Sequence, residues 1–365
     1  MKSEIMKEGS ISFNLAKNVF YNPEMQFCRS FCSLAVGAIG KKLTVLDAFS
    51  ASGIRGIRYA KENRNLAKID FLEANDAATP VLKRNLKLNK IKKASAIKKL
   101  YEKYFTSGFF SYDFVEIDPF GTPAPYLWST FYGQVKKKEF YLSVTATDTA
   151  VLCGPEAKAC LKNYHSKNLN NEFTHETGTR ILIKRIAESA NEFDFGTIPL
   201  FSLSDRHYIK VLLKIEKGAA KAHQNIEKFG FISYCNKCGF RSSGKRMQNE
   251  CKLCKVTTDY SGPVWLGELH DKKFLESMIK LNKKRKYEHA EEIEKKLKLM
   301  LNEINMPAYF YDLHVTCKRI KTSVPKIDDV IKKLKTRGFK TGRTHFTKTG
   351  IKTDAGIEEI KKIIR

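Results

Sequence analysis

No stretch of this chain approaches the roughly 18 consecutive apolar residues that a membrane-spanning helix requires. The N-terminus also lacks the apolar core of a signal peptide. A membrane protein and a secreted one are therefore not expected, and the expected location is the cytoplasm. Cysteines number nine, an odd count that fits a reducing compartment better than a disulfide scaffold. The glycine-rich fingerprint G-x-G-x-x-G is missing, which argues against a nicotinamide cofactor. Internal repeats and low-complexity tracts are absent as well. Acid is scarce: 39 Asp and Glu face 66 Lys and Arg, a formal net charge of +27. That excess points to a polyanion, nucleic acid first, with a merely solubilising basic surface as the competing explanation.

At 365 residues the chain is long enough for two domains with separate cores. Residues 1–217 carry short apolar runs alternating with helical stretches. Strands are predicted at Leu43–Asp47, Ile69–Ala74, Phe114–Ile117, Phe140–Thr145 and Tyr208–Ile215, and an apolar helix at Met25–Ile39. Strands spaced this way predict an α/β, doubly wound, mostly parallel sheet. Gly218-Ala219-Ala220 is the expected exit. Residues 218–365 change character, with a cysteine-rich insert at 233–256, a charged helical stretch from Asp271 to Ile304, and a basic α+β segment containing an amphipathic helix at Ile327–Arg337.

Three constellations carry chemistry. Asp118-Pro119-Phe120-Gly121 follows a buried strand, so it falls at a strand end, where open α/β sheets bind ligands. A carboxylate, a stiffening proline and a ring suit chemistry on the amino group of a flat base, since the acid can take the amine's proton while the ring stacks. An Asp-Pro turn with a packed Phe is the plainer alternative. Asp47 to Gly56, a small-residue loop behind the first strand, feeds a helix and lets backbone amides approach a ligand, while Glu73 or Asp76 ends the next strand. This pattern matches a nucleoside cofactor whose ribose is held by the acid; a helix cap built from Ser50 and Ser52 would look the same. Arg55 and Arg58, three apart on that helix, share a face and suit a carboxylate or phosphate.

The third is Cys235-x2-Cys238 with Cys251-x2-Cys254. Two such knuckles close a tetrahedral zinc site with no open position, hence a structural one. Lys237, Arg241, Lys245 and Arg246 make this ribbon basic. Cys153 and Cys160, near His165 and His175, are expected to be core thiols rather than nucleophiles.

Several long segments, taken together, resemble the tRNA (guanine-26-N2)-dimethyltransferases of archaea and eukaryotes. They are Phe20-Tyr21-Asn22-Pro23-Glu24-Met25, Ser50 to Arg58, Ile117 to Gly121, Val144 to Gly154, His175 to Arg180, Thr344-His345-Phe346 and Ile351 to Ala355. The resemblance implies a Rossmann-like class I methyltransferase domain at 1–217 and a smaller α+β tRNA-binding domain with a zinc ribbon at 218–365. It implies that Asp118 is the catalytic acid/base residue and that Phe20 and Phe120 hold the target guanine. Arg29, Arg55, Arg58 and Asp76 would contact S-adenosylmethionine, and Ser95 or the backbone of Ala96 would meet its adenine. The chain departs from the family's Asn-Arg-Asp at Cys28-Arg29-Ser30, and from its Asp-Ala-Asn at Ser95-Ala96-Ile97. Two other functions compatible with the sequence are a DNA amino-methyltransferase and a non-catalytic zinc-ribbon RNA-binding protein on a degenerate methyltransferase fold.

Overall fold

The computed structural model describes residues 5–205 and 207–365. It opens with a hairpin, β1 (Ile5–Glu8) and β2 (Ile11–Asn14), that leads into helix α1 (Gln26–Ala38). Seven strands then build one sheet: β3 (Leu43–Ala48), β4 (Leu66–Glu73), β5 (Ala94–Lys98), β6 (Phe114–Ile117), β7 (Glu139–Ala146), β8 (Phe195–Asp205) and β9 (Tyr208–Lys217). Their order is β5-β4-β3-β6-β7-β9-β8. The first five are parallel, while β9 runs antiparallel to β7 and β8 antiparallel to β9. This is the doubly wound sheet expected from the sequence, with two differences. The late strand is one arm of a long hairpin, and β5 escapes pattern reading because its half-exposed Ala-Ser-Ala-Ile-Lys has weak alternation.

The chain winds outward from β3 to β5 and then crosses back to β6. The carboxyl ends of β3 and β6 therefore flank the switch point, where a crevice must open. Helix α2 (Ile54–Glu62) starts there at Gly53, whose φ of +81° and a neighbouring Leu82 methyl group, 2.4 Å from where a Cβ would stand, leave room for glycine only. Gly56, one turn later, brings the helix close enough for its N–H to donate to Asp47 Oδ2 at 3.0 Å.

Two cores sandwich the sheet. Leu46, Val115, Val144 and Val211 face helices Ala124–Gly133 and Thr174–Asn191. Val45, Phe114 and Leu212 face α1, α2 and the helices Lys272–Asn282 and Ala290–Leu301, into which the charged stretch 271–304 resolves.

Beyond Gly218 come the ribbon strands β10 (Phe229–Tyr234), β11 (Arg241–Gly244) and β12 (Asp259–Trp265), and then β13 (Tyr311–Asp312), β14 (Thr341–Arg343) and β15 (Gly350–Thr353). The expected boundary at 217/218 marks where the chain leaves the sheet. It is not where the cores part. Ile232, Val264 and the buried Trp265 join the first core, and Leu275, Ile293 and Leu297 join the second. A separate core, with Leu313, Val330, Leu334, Ile351 and Ile360, is built from 311–364, and Phe240 and Tyr309 pack against it. Its helix Ile327–Thr336 is the amphipathic one the sequence predicts.

Three buried carboxylates tie this C-terminal part to the sheet layer. Glu172 accepts from Arg241 Nη2 at 2.6 Å and from Tyr234 at 2.7 Å. Glu176 accepts from Arg180 and, at 2.5 Å, from Lys352 of β15. Glu303 accepts from Thr344 at 2.7 Å and from the His345 backbone at 2.6 Å, with the His345 ring at 2.8 Å and the His270 ring at 3.3 Å. Burial, against the opposing pull of Glu303, lowers His270 from the usual 6.5 to about 4. The unfolded chain thus binds this proton first as pH falls. The contribution of His270 to stability is complete above about 6.5 and is lost between about 6.5 and about 4. Denaturation series across that window should show falling stability, and His270→Gln should flatten the decline.

Candidate active site

The crevice at the switch point encloses about 300 Å³. Its floor is the loop leaving β6, and its walls are the 47–55 loop, the start of α1 and the segment 19–22. Asp118 stands on the floor, with its side chain 23% exposed, and is salt-bridged by Arg55 from the first turn of α2. Pro119 and Gly121 shape the loop. Gly121 donates to the Thr147 hydroxyl at 2.8 Å and accepts from the Thr147 N–H at 3.0 Å, which ties the loop to the end of β7.

Phe20 and Phe120 meet edge to face at the mouth, with centroids 4.7 Å apart and planes at 83°. They are 55% and 77% exposed, unusual for phenylalanines that are not in use by a partner. The structure thus brings the acid and both rings together, although Phe20 lies nearly a hundred residues upstream of Asp118.

Burial alone would raise the Asp118 pKa. The charges of Arg55 and then Lys210, with hydrogen bonds from Thr145 and Arg55, instead hold it below the usual carboxylate range. It is therefore an anion at neutral pH with lone pairs left for a substrate N–H. Asp47 behaves in the opposite way: burial, reinforced by Glu116, pushes it up to about 8. At neutral pH it carries its proton, while Arg55 and Lys210 pair with the carboxylates of Asp118 and Glu116.

The expected cofactor residues divide. Arg29 and Arg55 line the crevice. Arg58 does not: it is fully buried behind α1, with Nη1 on Glu8 at 2.9 Å, Nε on Glu62 at 2.8 Å and Nη2 on the Ser30 hydroxyl at 3.0 Å. Asp76 is exposed, pairs with Lys98 and is not part of the wall. Glu73, the alternative acid at the end of β4, does line it, accepting from Ala51 N–H at 2.6 Å and Asn75 N–H at 2.8 Å. Ser95 and Ala96 lie within β5, level with Asp70 and Phe71, and the residue level with Glu73 is Lys98. The carboxyl end of β5 is thus Lys98, and the carboxylate beside it is that of Asp76.

Sequence reasoning missed Glu8, which chelates Arg29 (Nε–Oε1 2.7 Å, Nη2–Oε2 2.5 Å) as well as Arg58. A lone Glu in a polar lead carries no signal of such a role. It also missed Phe49, held at φ +58° in the crevice wall and stacked on Tyr101 at 5.2 Å.

The four ribbon cysteines converge at the β10–β11 and β11–β12 turns. Sγ separations are 3.5 Å for Cys235–Cys254 and for Cys238–Cys251, and all four sulfurs lie within 4.8 Å of one another. A tetrahedral Zn–S₄ centre has S···S spacings of about 3.8 Å, so the donor set fits that ion. The cluster His270, Glu303 and His345 does not suit a metal. The outer ring nitrogens face the N–H groups of Ser202 at 3.3 Å and Ser204 at 3.5 Å. They must accept there, which leaves a proton on each nitrogen that faces Glu303. Cys153 and Cys160 are core thiols, both pushed up to about 12, chiefly by burial.

A sequence model of the family described as N2,N2-dimethylguanosine tRNA methyltransferase matches residues 2–365. The chain belongs to this family. It is 35% identical over 357 residues to a tRNA (guanine(26)-N(2))-dimethyltransferase of Methanothermobacter thermautotrophicus, covering 95% of this chain and 92% of the relative. It is equally 35% identical over 360 residues to the tRNA (guanine(26)-N(2)/guanine(27)-N(2))-dimethyltransferase of Aquifex aeolicus, covering 94% and 89%. Among solved structures, that of Trm1 from Pyrococcus horikoshii in complex with S-adenosyl-L-methionine superposes with a TM-score of 0.91 at 30% identity, over 99% of this chain and 100% of that one. The fold is therefore the Rossmann-like methyltransferase fold of this family, extended by the α+β C-terminal part. No helix among the described residues is long and apolar enough to cross a membrane.

Proposed function

We propose that this protein is a tRNA methyltransferase that transfers one or two methyl groups from S-adenosylmethionine to the exocyclic N2 of guanine 26, the position named for its relatives. The observation that carries the reading is the crevice itself: an anionic Asp118 held by Arg55, under two exposed rings, beside a small-residue loop at the sheet's switch point. Such a constellation in a member of this family favours tRNA chemistry over a DNA amino-methyltransferase or a degenerate, non-catalytic fold.

The crevice residues fit the methyl donor. Ser50, Ala51 and Ser52 keep the loop low, Glu73 retains a free lone pair on each oxygen for ribose hydroxyls, and Arg29 and Arg55 provide cationic partners for a carboxylate. Arg58, packed behind this wall, acts by fixing Glu8 and hence Arg29. When bound, S-adenosylmethionine supplies an electrophilic methyl group.

The lone pair of the guanine amine is delocalised into the ring, so the amine is a poor nucleophile and needs orientation and a proton acceptor. Phe20 and Phe120 would clasp the base, and Asp118 would accept the N2 proton as the N–C bond forms. A base inside folded RNA must be extruded to reach this floor. The +27 charge, the C-terminal part and the zinc-bound ribbon would hold phosphates, fixing register by shape. A tRNA substrate also supports the cytoplasmic location expected from the sequence.

Mass spectrometric mapping of tRNA after incubation with labelled S-adenosylmethionine tests the reading as a whole, because it reports nucleotide, position and methyl count together. Asp118→Ala and the isosteric Asp118→Asn should lower transfer by about 10²-fold or more while tRNA binding stays nearly intact. Near-normal transfer would remove Asp118 from the role of proton acceptor. Affinity for tRNA should fall about 10²-fold or more between about 50 and 200 mM salt, and a flat response would argue against an electrostatic grip. Elemental analysis should find about one zinc per chain, lost together with thermal stability in Cys251→Ser.

A further inference from the structure

Little packing fixes the ring of Phe120. It is 77% exposed, and Phe20, the ring that meets it, is itself 55% exposed. A side chain so bare is aimed by its backbone, so whatever holds the 118–123 loop decides where the ring stands. One fastening is the pair of bonds between Gly121 and Thr147 at the end of β7. Gly121 sits at φ +71°, with open space where a Cβ would stand. A single fastening on such a residue is a pivot, and a second point is needed to set the orientation of the loop.

That second point is a chain of hydroxyl groups. Thr122 Oγ1 accepts from the Ala124 N–H at 3.2 Å and donates to the Tyr164 hydroxyl at 2.9 Å. The Tyr164 hydroxyl lies 2.8 and 2.9 Å from the two carboxylate oxygens of Asp148. Asp148 follows Thr147 directly, and Tyr164 is the fully buried last residue of helix Ala157–Tyr164. The direction of these bonds is fixed by chemistry. A carboxylate only accepts, so the one Tyr164 proton goes to Asp148, and the Tyr164 oxygen must take the proton of Thr122. Every bond then runs the same way, from the amide that opens helix Ala124–Gly133 to the Asp148 charge, and a hydrogen bond to a charge is the stronger kind.

We infer that Tyr164 is a positioning residue for methyl transfer: through Thr122 it locks the loop that carries Phe120, so that the ring is in place before the base arrives. Tyr164 is outside the crevice lining and acts only through that loop. Without its hydroxyl, Thr122 has no acceptor there, and the loop is left on the Gly121 pivot.

This inference rests on Phe120 holding the base, and the test separates the two. Tyr164→Phe removes one oxygen and keeps the shape of the buried ring. Single-turnover methyl transfer to tRNA should fall about tenfold or more in Tyr164→Phe, the scale of a misplaced reacting group. Affinities for tRNA and for S-adenosylmethionine should stay within about twofold. Thr122→Val should lose a similar factor, and Thr122→Ser, which keeps the hydroxyl, should restore the rate. The decisive variant combines Tyr164→Phe with Phe120→Leu. Acting through the ring, Tyr164→Phe should cost less than about twofold once the ring is gone, whereas general damage to the fold would cost the same factor in both backgrounds.

A Tyr164→Phe rate within about twofold of the parent, or losses that multiply in the combined variant, would overturn the inference. If Phe120→Leu is too slow to time, the contrast between Thr122→Val and Thr122→Ser decides alone. Should Phe120→Leu keep the full rate, the reading of Phe120 as the base-holding ring fails, and the inference with it. A slow Phe120→Leu beside an unaffected Tyr164→Phe would sink only the positioning role.

Discussion

Two cations, Arg55 and Lys210, lie inside the sheet layer because the carboxylates there cannot be left unpaired. An isolated buried charge is far costlier than a paired one, so each of these groups dictates where the next must be. Asp118 is anionic because Arg55 is beside it. Arg55 reaches it because Gly53 and Gly56 let α2 lie against β3. Asp47, left without a strong cation of its own, takes a proton. The small residues of the 47–56 loop are thus as much a requirement of charge pairing as of ligand access.

The same logic explains why the N-terminal hairpin belongs to the crevice. Arg29 and Arg58 approach from α1 and α2, and two guanidinium groups at that separation need a shared anion. Glu8 supplies it from β1. The residue after Arg29 is Ser30, whose hydroxyl accepts from Arg58. The two arginines are thus neutralised by Glu8 of β1 and Glu62 of α2, and Arg29 stays in the wall.

Sequence patterns revealed the strands whose apolar runs are long, the switch-point acid and the cysteine knuckles, because each is written in consecutive residues or fixed spacing. Phe20 came only through family resemblance, since no local rule links it to Phe120. The buried contacts of Lys210 with Glu116 and Thr145 across the sheet were hidden for a physical reason. Within a strand a lone Lys or Glu reads as solvent-facing, and only strand order reveals that these residues face one another indoors. The end of β5 was hidden because the strand is half exposed and its limit follows only from its register against β4. The domain limit at 217 had a similar origin. Composition changes there, while packing carries on through Trp265 and Leu297 into the cores of the sheet.

Glu172 and Glu176, at the start of the sheet's covering helix, hold Arg241 of the ribbon and Lys352 of β15, and Glu303 gathers the two histidine rings that accept from Ser202 and Ser204 of β8. Sliding one part past the other would strand a buried carboxylate at every anchor at once. The C-terminal surface and the floor at Asp118 are consequently a set distance apart, like the jaws of a fixed-gap gauge. For the proposed tRNA substrate, the nucleotide that meets the acid would then be selected by length along the substrate rather than by the letters around it.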